Sequence, residues 1–148
     1  NERQRVGPIA VANPPHQLPI ARSLEIADLL TPAEVSRKVL ARLHARVGVE
    51  QRNCAILEAD GSIPLYGIGS PGEPSRPRVP GTAERMKAYD RHARELAIAA
   101  VRDPLASSGV DAESLTHLVT ASCTGFSAPG VDLAIVEALD LPLTFVET

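Results

Sequence analysis

The sequence has 148 residues, of which 44% are hydrophobic and 22% charged, with a formal net charge of −3. This profile predicts one soluble globular domain, and the acidic balance argues against binding to a nucleic-acid backbone. Because only 3% of the residues are aromatic, a stacking surface for single-stranded nucleic acid is excluded as well. No apolar run reaches the roughly 18 residues of a membrane span, so the chain is expected to be cytoplasmic.

The cysteines and histidines lack the spacing of a metal site. Cys54 and Cys123 form no CxxC pair, so neither a zinc site nor a disulfide framework is predicted. The chain begins without an initiator Met and without an apolar signal segment, which is typical of a trimmed beginning.

The first part of the chain alternates short apolar runs with a helical pattern. Residues 6–11 predict a buried strand, and residues 18–30 predict a helix. Thr31-Pro32-Ala33-Glu34 form a capping box, so a second helix is predicted to begin at Pro32 and to end at Gly48. Its apolar stripe consists of Val35, Val39, Leu40, Leu43 and Val47. A half-exposed strand is then predicted over residues 49–57.

The rest of the chain predicts alternating helices and strands after a long interruption. Residues 60–81 are rich in Gly and Pro, which indicates an irregular loop rather than a packed element. The longest helix is predicted to begin with Thr82 as its cap and to end at Gly109, with Pro104 disturbing its last turn. The pattern then predicts a central strand over residues 115–122, a loop, a helix opened by Pro129 and a strand from Leu143. These predicted elements are typical of an α/β fold with a largely parallel sheet.

The loop after the predicted central strand is the first candidate site. Ser122, Cys123 and Thr124 stand beside Gly125, which lets a backbone approach a ligand, and ligands bind beyond the carboxyl ends of parallel strands. Three interpretations of Cys123 stay open on the residues alone. It is a buried structural thiol, a thiol that lines a pocket, or a nucleophile, and the last needs an adjacent base or a helix N-terminus.

Three cations on the second predicted helix form the other candidate site. Lys38, Arg42 and Arg46 recur every four residues and therefore project from one face. Such a cluster suits a ligand with several phosphates, such as coenzyme A. The alternative is a solvated face whose charges complement the helix dipole.

The stretch from Cys123 to Asp132, Cys-Thr-Gly-Phe-Ser-Ala-Pro-Gly-Val-Asp, resembles the type III polyketide synthases of the chalcone synthase family, in a bacterial form. Ala12-Asn13-Pro14-Pro15 and Gly48-Val49-Glu50-Gln51-Arg52 resemble two further motifs of that family, in the same order. The resemblance implies a thiolase-like αβαβα layered fold and a homodimer. Residues 1–148 would then form most of the N-terminal domain, without the C-terminal half.

The resemblance also assigns roles to the two candidate sites. Positions that match Cys123 and Thr124 line the family's substrate cavity, beside Gly125, and the position of Ala128 reaches toward the partner's cavity. Positions that match Arg42 and Arg46 contact the phosphates of coenzyme A. The Lys38 position is displaced by one residue from the third cation of the family.

No catalytic residue is expected within the chain itself, because the family's nucleophilic cysteine would follow Thr148. The fragment alone is therefore expected to be inactive. The complete enzyme would be an acyltransferase that condenses an acyl-CoA starter with malonyl-CoA by decarboxylative Claisen condensation, with coenzyme A thioesters as substrates and no permanently bound cofactor. No nucleic-acid or membrane partner is expected.

Two alternatives remain at this point. A condensing enzyme similar to ketoacyl synthase III would share the fold but would lack this form of the Cys123 loop. A non-catalytic module that binds acyl-CoA or forms dimers would fit if the 148 residues were the whole mature protein.

Overall fold

A computed structural model of the chain describes residues 9–32 and 37–142. The helices and strands in these ranges are β1 (Gln17–Pro19), α1 (Ile20–Leu30), α2 (Arg37–Val47), β2 (Gln51–Asn53), α3 (Thr82–Ser108) and α4 (Val131–Ala138). Residues 14–84 form a first unit, and the described part of a second unit comprises residues 9–13 and 85–142.

Helices α1 and α2 follow local sequence signals. Helix α1 ends because Thr31 precedes a proline, which disfavours the helical conformation; Thr31 is extended, and its N–H donates to the carbonyl of Ala27 at 2.9 Å. Helix α2 ends at Gly48, whose φ of 66° is the left-handed conformation expected there. The predicted start of α2 at Pro32 stays a prediction, because residues 33–36 lie outside the described residues.

The sheet differs from the prediction. Strands β1 and β2 pair antiparallel, with Gln17 opposite Asn53 and Pro19 opposite Gln51, and the described residues contain no parallel pair. Of the strand predicted over residues 49–57, only the three residues of β2 form a strand. Of the strand predicted over 6–11, residues 9–11 are in no strand, and no described residue covers Ile9 and Val11, which are 94% and 77% exposed. Residues 6–8 lie outside the described residues.

Residues 57–81, which we call the packed loop, contain most of the first unit's core. Leu57, Ile63 and Ile68 are 6%, 4% and 2% exposed and cluster with Ile26 of α1. The prediction of an irregular loop over residues 60–81 was confirmed, but the prediction that this segment is not packed was wrong. The reason is that glycines and prolines here form tight turns, including a 3₁₀ turn at Pro64–Tyr66, and these turns direct isoleucines inward.

Hydrogen bonds replace regular structure within the packed loop. Ile63 and Ile68 bond to each other through both backbone pairs, and the N–H of Arg76 donates to the carbonyl of Gly67 at 2.8 Å. Gly67 has a φ of 67°, and a Cβ at this position would collide with the carbonyl oxygen of Arg76. Only glycine satisfies both constraints, so this turn depends on its lack of a side chain.

A polar contact also closes the packed loop. Asp60 accepts hydrogen bonds from the backbone N–H of Ser62 at 2.9 Å and from the hydroxyl of Ser70 at 3.0 Å. Bonds from Ser62 and Ser70 hold the pKa of Asp60 below its usual range. The carboxylate form therefore joins two turns of the packed loop.

Helix α3 is the long helix that the sequence predicts. It runs through Pro104 to Ser108 and is followed by Gly109, which has a φ of 68°. At its other end, Glu84 accepts the N–H of Gly81 at 2.8 Å and both guanidinium nitrogens of Arg78 at 2.7 and 3.0 Å. Glu84 thus fixes the end of the packed loop to the first turn of α3.

The prediction of a central strand over residues 115–122 was wrong. These residues pair with no other segment in the part of the chain that the structure describes, and Val119 is 88% exposed. A strand requires a hydrogen-bonded neighbour, and β-branched residues alone do not supply one. We call residues 115–124 the exposed segment.

Helix α4 begins two residues later than the predicted opening at Pro129, with Gly130 as its N-cap. Ala134 and Ile135 are 6% and 3% exposed, so this short helix is buried along one side. The strand predicted from Leu143 lies outside the described residues.

Candidate functional site

Residues 122–129, which we call the site loop, overlap the end of the exposed segment and lead toward α4. The side chains of Cys123 and Thr124 are exposed, and Cys123 Sγ lies 4.0 Å from Thr124 Oγ1. The N–H of Thr124 is 3.4 Å from Ser122 Oγ. The structure therefore brings these three side chains together. The interpretation of Cys123 as a buried structural thiol was wrong, because Cys123 is exposed.

The site loop alternates between two environments. Gly125 and Ser127 are half-buried, whereas Thr124, Phe126 and Ala128 are exposed. Phe126 is 79% exposed, although it is one of only two phenylalanines in the chain. By exposure, the site loop therefore has a held side, with Gly125 and Ser127, and an open side, with Thr124, Phe126 and Ala128.

Helix α3 contacts the held side at Gly125. A Cβ added to Gly125 would lie 2.8 Å from Cγ and 3.1 Å from both Cδ atoms of Tyr89, so the ring faces the glycine backbone directly. Real Cβ atoms do not come this close to a ring carbon. Gly125 is therefore required by the approach of Tyr89, a role that its position beside the candidate ligand site did not indicate.

A second contact joins α3 to the end of the site loop. Arg94 Nε donates to Asp90 Oδ1 at 2.7 Å, and Arg94 Nη2 donates to the carbonyl oxygen of Pro129, also at 2.7 Å. Hydrogen bonds from Arg94 and Ser127 lower the pKa of Asp90, and the nearby positive charge of Arg94 adds to this effect. The ion pair therefore links a helix to both Ser127 and Pro129.

Sequence reasoning missed Tyr89, Asp90 and Arg94. The one local signal was the spacing of Asp90 and Arg94, which places opposite charges on neighbouring turns of a helix. This spacing predicts an ion pair but not its third partner, because every residue carries a backbone carbonyl and Pro129 is 35 residues away from Arg94.

The three predicted cations lie on α2 in the first unit. The side chains of Lys38, Arg42 and Arg46 are all exposed, and Arg46 is in the last turn of α2, where a positive charge complements the helix dipole. The site loop belongs to the second unit, so the two predicted sites occupy different units.

The apolar stripe of α2 is only partly covered. Val39, Leu43 and Val47 are 48%, 54% and 56% exposed, whereas Leu40 is half-buried. On the covered side, α1 and α2 form an open groove of about 260 Å³, which is lined by Leu24, Glu25, Asp28, Leu40 and Ala41. The exposed apolar residues of α2 therefore lie among its exposed cations.

Residues 9–32 and 37–142 lack two features. No group of three or more His, Cys, Asp or Glu side chains is placed to hold a metal ion there. None of the described helices is long and apolar enough to cross a bilayer.

Curated relatives match much of the chain. An alpha-pyrone synthesis polyketide synthase-like protein of Mycobacterium tuberculosis is 31% identical over 118 residues, which cover 78% of this chain and 27% of that protein. A phloroglucinol synthase of Pseudomonas fluorescens is 30% identical over 67 residues, 45% of this chain and 19% of that protein. The chain thus spans 19–27% of the length of these relatives. No family model matches it.

Solved structures share the fold of the chain. A fungal type III polyketide synthase, ORAS, superposes with a TM-score of 0.68 at 24% identity, covering 94% of this chain and 34% of that one. PKS-I of the brown alga Ectocarpus siliculosus gives a TM-score of 0.70 at 23% identity, covering 100% of this chain and 40% of that one. A type III pentaketide synthase from Neurospora crassa gives 0.65 at 24%, covering 96% and 34%.

Proposed function

Since the chain belongs to the type III polyketide synthase family and corresponds to an N-terminal portion of such a protein, we propose that the natural protein carrying it is a polyketide-forming acyltransferase. One observation carries the proposal. The match to the mycobacterial relative covers 78% of the chain at 31% identity, and a fungal type III synthase has the same fold over 94% of it.

The proposed reaction joins acyl units through coenzyme A thioesters. A cysteine thiolate outside these 148 residues attacks the thioester carbonyl of an acyl-CoA starter, and the thiolate of coenzyme A leaves. Malonyl-CoA then loses CO₂, and the electron pair of the broken bond forms an enolate. The enolate carbon attacks the enzyme-bound acyl group, and the cysteine thiolate leaves. The extended chain is then held on coenzyme A, and no resident cofactor takes part.

The site loop is the proposed contribution of this chain to the substrate cavity. Cys123 and Thr124 would contact the growing acyl chain, beside Gly125. Their exposure supports this role, because a wall of a cavity must present its side chains to a ligand. Ala128 is exposed as well, and we assign it to the contact with the partner subunit of a homodimer.

Helix α2 is the proposed docking site for the coenzyme A part of both substrates. Arg42 and Arg46 would pair with its phosphates, with Lys38 as a third cation. Exposed guanidinium groups on one helix face present several donors to phosphate oxygens, which supports this assignment.

The wider architecture is also part of the proposal. Residues 1–148 would be an incomplete N-terminal domain of a layered αβαβα protein, and a C-terminal half would complete it. The whole enzyme would be a cytoplasmic homodimer, and residues 1–148 alone would be inactive because they lack the nucleophile.

Turnover and covalent labelling test the proposed reaction. The full natural protein, supplied with malonyl-CoA and acyl-CoA starters of increasing length, is expected to release CO₂ and coenzyme A and to form polyketides. A labelled starter is expected on a cysteine outside residues 1–148, with Cys123→Ser still labelled. Recovery of the label on Cys123, or no CO₂ release with any starter, would overturn the proposal.

A charge substitution tests the coenzyme A site separately. Arg46→Ala is expected to raise KM for starter and malonyl-CoA by roughly tenfold, because an ion pair to a phosphate is lost, with kcat largely retained. Arg52→Ala, an exposed arginine of β2 in the same unit, is the matched control. Equal KM values for the two variants would show that Arg46 is not part of the coenzyme A site.

A further inference from the structure

The open side of the site loop is exposed, whereas its held side contacts α3 at alternate positions. Gly125 lies against the ring of Tyr89, and the Pro129 carbonyl accepts a hydrogen bond from Arg94. Between these two contacts, hydrogen bonding from Ser127 helps to lower the pKa of Asp90. All three partners come from two adjacent turns of α3. The residues that alternate with these positions, Thr124, Phe126 and Ala128, are exposed.

We propose that Tyr89, Asp90 and Arg94 are positioning residues that fix the site loop on α3 and thereby set the shape of the cavity wall formed by Cys123 and Thr124. The consequence of this inference, an effect on the length of the polyketide, rests on the proposed function. The anchoring of the site loop on α3 does not depend on that function. None of the three residues needs to touch substrate to act in this way.

Arg94 and Tyr89 constrain the loop in different ways. The guanidinium of Arg94 bonds to Asp90 and Pro129 in one plane, so it fixes the distance between helix and loop. Tyr89 is a rigid ring that leaves no space for a side chain at Gly125 and so sets how closely the loop approaches. A shift of the Gly125 backbone by the size of one methyl group would displace the neighbouring Thr124 by a similar distance.

Polyketide length follows from the space available to the growing chain, so a small displacement of this wall is expected to change products more than rates. A role in stability alone would lower the amount of active enzyme and leave the products of each active molecule the same. The product distribution therefore separates positioning from a purely structural role.

The experiment uses the full natural protein with Arg94→Ala, Arg94→Lys and Asp90→Asn. Arg91→Ala is the control, because Arg91 is an exposed arginine of the same helix three residues earlier. Hydrogen exchange of amides 123–129 and alkylation of Cys123 report on the loop without substrate. Product lengths, kcat and KM for malonyl-CoA report on the cavity, and the thermal midpoint shows that each variant is folded.

We expect Arg94→Ala to increase exchange in the site loop by about tenfold or more, because loss of an anchor lowers the free energy of local opening. The product distribution should shift, with KM for malonyl-CoA unchanged, and Asp90→Asn should act in the same direction. Arg94→Lys, which keeps a charged donor, should restore part of both effects. Arg91→Ala should match the unchanged protein.

Two results would overturn the inference. Exchange in Arg94→Ala that equals exchange in Arg91→Ala would show that α3 does not anchor the loop. A loosened loop with unchanged products would show that the loop does not shape the cavity. If the unchanged protein forms no polyketide from any starter, the proposed function fails, and exchange alone still decides whether α3 anchors the loop.

Discussion

The packed loop and the exposed segment carry opposite local sequence signals. Those of the packed loop predict irregular structure, and those of the exposed segment predict a regular strand. The packed loop is rich in glycine and proline, yet it contains Ile68, which is 2% exposed. The exposed segment is rich in β-branched residues, yet Val119 is 88% exposed. Turns bring their own hydrogen-bond partners within a few residues, whereas a strand depends on a neighbour that comes from elsewhere in the chain.

The largest expected effect comes from truncating one aliphatic side chain in each region. Ile68→Ala should lower the free energy of unfolding by about 3 kcal/mol, because it removes buried methyl groups and leaves a cavity. Val119→Ala should change the free energy by less than about 0.5 kcal/mol, since the side chain is exposed. Urea denaturation of the natural protein measures both. Similar losses for the two variants would break the contrast.

A pair of glycine substitutions sharpens the account of the packed loop. Gly67→Ala should destabilise it by about 2 kcal/mol, because the new Cβ meets the Arg76 carbonyl and the residue has a positive φ. Gly72→Ala is the control: its φ is 86°, but nothing lies within 4 Å of the added atom, so only conformational strain of about 1 kcal/mol is expected. Local hydrogen exchange over residues 57–81 compares the two. Equal effects would mean that the Arg76 contact is unimportant.

Thiol chemistry compares a cysteine of the exposed segment with one that packs against the same core as the packed loop. Cys123 is exposed, whereas Cys54 is half-buried and packs against the core of the first unit. Iodoacetamide should therefore modify Cys123 at least about tenfold faster than Cys54, and the difference should vanish in denaturant. Peptide mass spectrometry measures both rates. Faster modification of Cys54 would contradict the assigned environments.

The smallest expected effect is a pH dependence centred on the packed loop. The pKa of Asp60 is lowered in the folded protein, so its stabilisation is present above the unfolded value of about 4 and is lost as the pH falls through the folded value. Asp60→Asn should therefore reduce stability at pH 7 and flatten its dependence below about pH 4. Thermal midpoints at several pH values test this. Parallel curves for both proteins would exclude a role for the carboxylate.

The sequence predicted features whose cause is local. Gly48 and Gly109 end helices where the pattern placed them, and α3 has the predicted extent, because capping and helical periodicity act within a few residues. Strand pairing was not predictable in the same way. The sequence of 115–122 indicates only that a strand would be tolerated, and no pattern within it identifies a partner.

In the candidate site, too, the features with a local cause were predicted and the others were not. The motif around Cys123 pointed to the site loop, and spacing placed Lys38, Arg42 and Arg46 on one helix; their roles stay proposals. The anchoring by α3 was missed because it relies on a backbone carbonyl at Pro129 and on the absence of a side chain at Gly125. Neither feature distinguishes these positions from others in a single sequence.

The contact between Tyr89 and Gly125 has a spectroscopic consequence. Protons close to an aromatic ring experience its induced magnetic field, so the α-protons of Gly125 should resonate away from their usual position while the ring faces them. Selective glycine labelling would make this signal visible in a large protein. The chemical shift of one residue would then report, in solution and in real time, whether the loop rests on its helix when a substrate arrives.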